Sequence, residues 1–461
     1  METSKTCAYC SKPDALKICG RCRNQPYCSL ECQRSDWRRH KANCAPLAPP
    51  PPRRTNRLDK DAFRPVAKKA LATKNTAGCR VGLRNEGNTC YLTCVLQCLT
   101  YSPLAGYLLE LDVDNSKNNM MAELQAHIRK VWKRNELLSR TEPSRIGSEE
   151  DSDDSAETVT CKTEDIDVAR SLLKRTLHNG RMQDAHEALV DIQAQLLESC
   201  GASKSLTGKA LADWERSTIV HDVFGSDLEQ ACVCSACGFR SPSTHVEMML
   251  MLNATLGLKD EDFLLSAEAT IDKPWESRSA TREALKRGSG TSPRAPPPPT
   301  TVEELLKLYF SKEVIDDYAC DECHERCRCD KVSGFRTTPN CLATYIDRQP
   351  QYNQLFGKLN RVVTFSETLD LRPFCVEPGA DETYRLYAVV CHLDVAGSTF
   401  FGHYVCYVRD DRERWWLLDD ESVRPVGWDA VRRVNPYMLF YARARPHLVF
   451  RAAPARPREG E

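Results

Sequence analysis

Gly82-Leu83-Arg84-Asn85-Glu86-Gly87-Asn88-Thr89-Cys90-Tyr91-Leu92 is a glycine-bearing loop that delivers one cysteine to the start of a helix. Val95, Leu96 and Leu99 follow at helical spacing, and Asn88 and Thr89 are residue types that cap helix starts, which puts Cys90 in the first turn. There the positive end of the helix dipole and free backbone N–H groups favour the thiolate, the form that attacks carbonyls. Cysteine is also one of the most buried residue types, and Cys94 and Cys98 share this helix. Spacing alone therefore leaves a packing role and a catalytic role both open.

The eleven residues closely resemble the cysteine box of the ubiquitin-specific proteases: glycine, leucine, any residue, asparagine, two residues ending in glycine, then asparagine-threonine-cysteine. The resemblance implies that Cys90 is a nucleophile and that Asn85 donates a hydrogen bond to the oxyanion. Thr93 and Cys94 stand where asparagine-serine is frequent, and Glu86 where an apolar residue is common.

More than three hundred residues further on, Phe401-Gly402-His403-Tyr404-Val405-Cys406-Tyr407-Val408 is followed by the polar Arg409-Asp410-Asp411-Arg412-Glu413. The run Trp415-Trp416-Leu417-Leu418-Asp419-Asp420 comes next. Two apolar runs about a short polar turn predict a β-hairpin. If the turn centres on Asp411, His403 faces Asp419; a turn longer by one residue would bring Asp420 there instead. Either way a carboxylate lies beside an imidazole, the arrangement that fixes a tautomer and stabilises the imidazolium. Gly402, His403 and Tyr404 resemble the family's histidine box, which implies Asp419 as third member of a triad with Asp420 assisting. His392 is read as part of loops over the substrate's tail.

Between these boxes, Ala185, Leu189, Ile192 and Leu196 form an apolar helical stripe, with Asp184, Glu187 and Asp191 on another face. The segment resembles the family's glutamine-aspartate box, which implies that Asp184 and Glu187 meet the arginines of the ubiquitin tail; Asp191 is read as surface.

Among the 24 cysteines stand four Cys-x-x-Cys pairs, which in a chain without an export signal point to zinc. Cys7, Cys10, Cys19, Cys22, Cys28, Cys32, His40 and Cys44 supply eight soft ligands, enough for two four-coordinate ions. They match the MYND zinc finger at every ligand position. That resemblance implies interleaved ligation, Cys7, Cys10, Cys28 and Cys32 on one ion and Cys19, Cys22, His40 and Cys44 on the other, and a proline-rich peptide or protein as partner. Cys234, Cys237, Cys320 and Cys323 form two further pairs that could close one site, which the resemblance places at the tip of a fingers ribbon gripping ubiquitin. Cys232, Cys327 and Cys329 are supernumerary.

At 461 residues the chain exceeds one ordinary core. The expected organisation is a MYND finger at 7–44, a proline-rich and basic linker at 45–77, a protease domain at 78–446 and a disordered tail at 447–461. The protease domain would carry disordered insertions at 139–163 and 273–301. The proline run Pro46–Pro52 is read as a stiff linker, with occupancy of the finger's own groove as the alternative. Charge balances at 64 basic and 64 acidic residues, which argues against a bulk electrostatic partner such as nucleic acid, although Arg21, Arg23, Arg34, Arg38 and Arg39 cluster in the finger. No run of about 18 apolar residues occurs, so a soluble cytoplasmic and/or nuclear protein is expected.

Ile346-Asp347-Arg348-Gln349 stands where the family carries leucine-lysine-arginine-phenylalanine, a departure that bears on one local strand. The implied fold is α+β, a papain-like palm and thumb with fingers, behind a two-zinc finger. The implied function is a Cys-His-Asp deubiquitinase. Its rivals are a catalytically silent ubiquitin-binding adaptor, a protease for another ubiquitin-like modifier, and a zinc-based scaffold.

Overall fold

The structure, a computed structural model, describes residues 6–13, 17–19, 25–41, 44, 78–111, 113, 119–141, 183–201, 207–258, 298–348, 361–379, 381–394 and 402–445. Cys22, the linker, the tail and most of both insertions lie outside the described residues. The chain divides into two units, Met1–Arg57 and Leu58–Glu461.

In the first unit, β1 (Lys17–Ile18) pairs antiparallel with β2 (Pro26–Tyr27), and helix α1 (Leu30–His40) follows. Ser29 caps that helix by accepting the Cys32 N–H at 3.1 Å. Tyr27 reaches across and donates to Asp36 at 2.8 Å. Among the described residues the buried apolar set is Cys7, Cys19, Tyr27 and Cys44. So small a core gives little hydrophobic stabilisation.

The second unit opens with helices α2 (Cys90–Thr100), α3 (Pro103–Glu110), α4 (Met120–Thr141), α5 (Ala185–Ser199), α6 (Gly208–Glu215) and α7 (Ile219–Phe224). Strands β3 (Ser226–Cys234), β4 (Arg240–Glu247), β5 (Leu250–Asn253) and β6 (Thr300–Thr301) lead to helix α8 (Val302–Tyr309). Then come β7 (Glu313–Ala319), β8 (Arg326–Thr337), β9 (Cys341–Asp347), β10 (Val363–Thr364), β11 (Thr368–Asp370), β12 (Thr383–Asp394), β13 (Gly402–Arg409), β14 (Trp415–Asp419) and β15 (Ser422–Val426). Helix α9 (Trp428–Val431) and β16 (Met438–Arg443) complete the unit.

One sheet runs β15-β14-β13-β12-β16-β9-β5 with β11 added on β12; a second, antiparallel sheet runs β4-β3-β8-β7. The expected α+β architecture is present, helices against the larger sheet and a separate ribbon carrying the cysteine pairs. Every residue of α2 is buried, so this helix is covered on all sides rather than amphipathic. It shares one apolar cluster with residues of α3, α4 and α5 and of strands β12, β13 and β16.

Two boundaries differ from expectation. Helix α4 runs on to Thr141, past the expected start of an insertion at 139. At the other insertion, Thr300 and Thr301 pair in parallel with Val363 and Thr364, and Thr301 caps α8 in a capping box with Glu304. That Thr-x-x-Glu pattern is a helix start rather than loop composition. β10 is only two residues long, and just before it Arg361 turns inward and donates to the carbonyls of Pro298, Ala254 and Leu256 at 2.9–3.0 Å.

The departure at Ile346–Gln349 leaves its strand intact. β9 lies inside the larger sheet, and Arg348 just beyond it is buried on the carbonyls of Arg361 and Pro436 and on Asn435 Oδ1. Among the described residues no single helix is long and apolar enough to cross a membrane. The bent pair α2 and α3 passes that test by composition, and most of its residues are buried in the core.

Candidate active site

Cys90 is the first residue of α2, 3% exposed. The loop before it is shaped by one side chain. Asn85 Oδ1 accepts from Gly87 N at 3.0 Å, Thr89 N at 3.1 Å and Thr89 Oγ1 at 3.2 Å, an Asx-type turn. Gly87 and Asn88 both adopt positive φ, at 88° and 58°, conformations that suit glycine and asparagine. Thr89 is the N-cap residue, yet its hydroxyl makes no cap bond and instead accepts the Glu86 N–H at 3.0 Å. The capping residue types therefore serve the loop that presents the thiol rather than the helix end.

The hairpin β13–β14 forms with its turn centred on Arg412, not Asp411: Arg409 pairs with Trp415 and Cys406 with Leu418. Continued strictly, that register sets Glu421 opposite His403 and Asp419 opposite Val405. His403 and Asp419 nevertheless meet, His403 Nε2 lying 2.6 Å from Asp419 Oδ1, because they are diagonal neighbours on one face of the ribbon. Asp420 is 3.9 Å from the same nitrogen. With Nε2 on the carboxylate, the ring's other nitrogen, Nδ1, is left for a reacting partner.

Asp420 occupies the tip between β14 and β15 at φ 49°. Its Oδ2 accepts from Asn85 Nδ2 at 2.8 Å, its Oδ1 from Thr93 Oγ1 at 2.9 Å, and its carbonyl from Leu83 N at 2.9 Å. A Cβ on Gly82 would fall 2.4 Å from the Glu421 carbonyl oxygen, so the glycine opening the quoted stretch is the surface against which this tip packs. Sequence reading missed Thr93 and Gly82 as site residues. The available signal was the place of Thr93 three residues beyond Cys90, on the same helical face.

Burial pushes the Cys90 thiol above its ordinary value. Backbone contact with Tyr404 works the other way, the Asp420 charge adds to the rise, and the N–H groups of Tyr91 and Cys90 itself lower it. The expectation that the helix start would favour the thiolate is thus overridden by desolvation. Among the described residues Cys90 and His403 form no hydrogen bond with each other.

Asp184 is not on the helical face read from sequence. It is the N-cap of α5, accepting the His186 N–H at 2.7 Å and the Tyr437 hydroxyl. Glu187, in the first turn, is exposed. His392 lies on β12 rather than in a loop, paired with Tyr404, their rings 4.6 Å apart.

Two groups of four sulfurs each gather with all ligand atoms within 4.8 Å: Cys7, Cys10, Cys28 and Cys32 in the first unit, and Cys234, Cys237, Cys320 and Cys323 in the second. Sulfur separations of 3.4–3.9 Å suit a tetrahedral ion held by thiolates, for which Zn–S of about 2.3 Å implies roughly 3.8 Å between sulfurs. Cys19, His40 and Cys44 form a third group, with Cys22 outside the described residues. The pairs on the ribbon sit in matching turns. Cys234 N bonds Phe239 O and Gly238 N bonds Cys234 O, while Cys320 N bonds Glu325 O and His324 N bonds Cys320 O. Gly238 and His324 both have positive φ. Of the extra thiols, Cys327 lies 3.2 Å from Cys234.

The family model "Ubiquitin carboxyl-terminal hydrolase" matches residues 81–441, and the model "MYND finger" matches residues 7–44. Among similar proteins, ubiquitin carboxyl-terminal hydrolase 19 of Arabidopsis thaliana is 28% identical over 490 residues, covering 95% of this chain and 62% of that protein. Ubiquitin carboxyl-terminal hydrolase 15 of the same plant is 28% identical over 391 residues, covering 82% of this chain and 34% of its own length. The chain thus spans less than two thirds of these relatives. A solved SAGA DUB module containing Ubp8, Sgf11, Sus1 and Sgf73 bound to monoubiquitin superposes with a TM-score of 0.54 at 17% identity, covering 96% of this chain and 90% of that one.

Proposed function

The chain belongs to the ubiquitin carboxyl-terminal hydrolase family, and from that premise we propose that it is a thiol deubiquitinase that cleaves after the C-terminal glycine of ubiquitin on protein conjugates. The observation that carries this reading is the hub at Asp420, where the Asn85 loop, the start of the Cys90 helix and the hairpin bearing His403 and Asp419 are tied together.

In the proposed reaction the Cys90 thiol gives its proton to His403, whose other nitrogen is held by Asp419. The sulfur attacks the terminal glycine carbonyl of ubiquitin. Asn85 Nδ2 and the Cys90 backbone N–H stabilise the tetrahedral oxyanion. The imidazolium protonates the departing amine, and water activated by His403 releases the acyl-enzyme. The carboxylates of Asp184 and Glu187 take the basic residues of the ubiquitin tail, with Asp184 oriented by its cap bond and by Tyr437.

The ribbon cysteines, as one zinc site, hold the fingers for the globular part of the substrate. The first unit, with two zinc ions, takes a proline-rich peptide or protein partner. When bound these ions are structural, and the hydrolysis needs none of them.

The buried thiol with its raised pKa favours a second reading, a ubiquitin-binding adaptor or an enzyme that aligns only on its substrate. Reaction of the full chain with ubiquitin carrying a C-terminal vinyl sulfone separates them. A covalent adduct lost in Cys90→Ala is the expected result. Zinc-loaded, folded protein that binds ubiquitin without forming an adduct would support the adaptor, and adducts only with another modifier would move the substrate class.

A further inference from the structure

Thr93 stands at a position where the sequence departs from the family's frequent asparagine, and it is 2% exposed. Its hydroxyl lies 2.9 Å from Asp420 Oδ1 and 2.9 Å from the Cys90 carbonyl. A threonine hydroxyl on the carbonyl three residues back is an ordinary helical contact. The contact with a carboxylate that arrives from a different element is not, and a bond to an ionised acceptor is the stronger of the two types.

Each oxygen of Asp420 has one donor: Thr93 on Oδ1 and Asn85 Nδ2 on Oδ2. Asn85 Oδ1 is saturated by three donors from its own loop, which settles which end of the amide is which. One Nδ2 proton is spent on Asp420, and the other has no acceptor among the described residues. The amide is planar, so the remaining N–H points where the bonds at both ends of Asn85 hold that plane, the loop donors on Oδ1 and Asp420 on Nδ2, and Thr93 is the side chain that holds the Asp420 carboxylate at the second end.

We propose that Thr93 is a positioning residue for the oxyanion donor: through Asp420 it aims the free Nδ2–H of Asn85 without touching substrate. This rests on the reading of Asn85 given above. Valine at 93 keeps the shape and removes the hydroxyl; serine keeps the hydroxyl.

The test compares wild type, Thr93→Val, Thr93→Ser, Asp420→Asn and the Thr93→Val/Asp420→Asn double variant in steady-state hydrolysis of ubiquitin 7-amido-4-methylcoumarin, with melting temperature as folding control. Thr93→Val should lower kcat by about tenfold or more, short of the roughly 10²–10³-fold cost of losing an oxyanion donor outright, with KM within about twofold and melting within a few degrees. Thr93→Ser should restore kcat to within about threefold, and the valine should add little in the Asp420→Asn background. A Thr93→Val protein with wild-type kcat, or one losing the same factor beside Asp420→Asn, overturns the proposal.

A wild type that hydrolyses no ubiquitin substrate counts against the proposed function instead. The aim of the amide is then read directly from the Asn85 side-chain resonances by NMR. The two Nδ2 protons are resolved in every variant because amide rotation is slow; one proton shifted downfield and slow to exchange with solvent in wild type and Thr93→Ser, but moved to the free-amide position and fast to exchange in Thr93→Val, supports the positioning, and identical resonances in all three refute it.

Discussion

Asn85 and Cys90 sit five residues apart, and their chemistry depends on atoms brought from hundreds of residues away. As oxyanion donor, Asn85 should be worth roughly 10²–10³ in turnover. Asn85→Ala is therefore expected to lose that much in kcat with substrate binding retained, as measured by steady-state kinetics and ubiquitin titration. Loss confined to KM would contradict the role. Because burial is the largest influence on Cys90 and raises its pKa, the free protein should alkylate slowly with iodoacetamide at neutral pH. The rate should climb only above the ordinary thiol range, near pH 8.5. A plateau already reached by pH 6 in the absence of ubiquitin would show a preformed thiolate and sink the desolvation argument. At this scale Cys90 was legible as a candidate nucleophile because its loop resembles the cysteine box of the family, whereas Thr93 was not: a threonine inside an apolar helix carries no sign of the carboxylate it will meet.

Helix α4 buries a histidine. His127 is 2% exposed, Nε2 has no hydrogen-bond partner, and burial lowers its pKa from 6.5 to about 4, with Lys130 adding to the effect. The unfolded chain thus binds a proton between pH 6.5 and about 4 that the folded chain refuses. Its contribution to stability is complete above pH 6.5 and is lost as pH falls towards 4, at about 1.4 kcal/mol per pH unit, or on the order of 3 kcal/mol in all. Urea unfolding at pH 7.5 and pH 5 should show the loss, and His127→Met should shrink the difference between the two; an unchanged difference would place the acid sensitivity elsewhere. The β13–β14 hairpin teaches a related lesson. Its strands were readable from two apolar runs, but its register was not, because the five-residue turn accommodates neighbouring alignments and the alignment is held by contacts with distant segments, among them the Asp420 tip against Gly82.

The two units hold themselves together differently. The second has large apolar clusters, while the described core of the first consists of Tyr27 and three cysteines. Stripping metal with a strong chelator should therefore unfold the first unit, while α2 and the larger sheet keep their protection in hydrogen exchange. Protection retained throughout the first unit would mean that metal is not its main source of stability. Ligand spacing made the cysteine groups legible from the chain alone, since Cys-x-x-Cys closes a local turn and the amino-acid order dictates which sulfurs are neighbours. The same holds for the loop that presents Cys90, built by Asn85 and its own backbone, and for the two strands of the hairpin that carries His403 and Asp419. Local order could not decide which acid meets His403 and which braces Asn85, or whether the helix dipole or burial governs the thiol. Those outcomes depend on how helix, loop and hairpin converge on the Asp420 carboxylate and on how much water their packing excludes, and both are set by contacts across more than three hundred residues of chain.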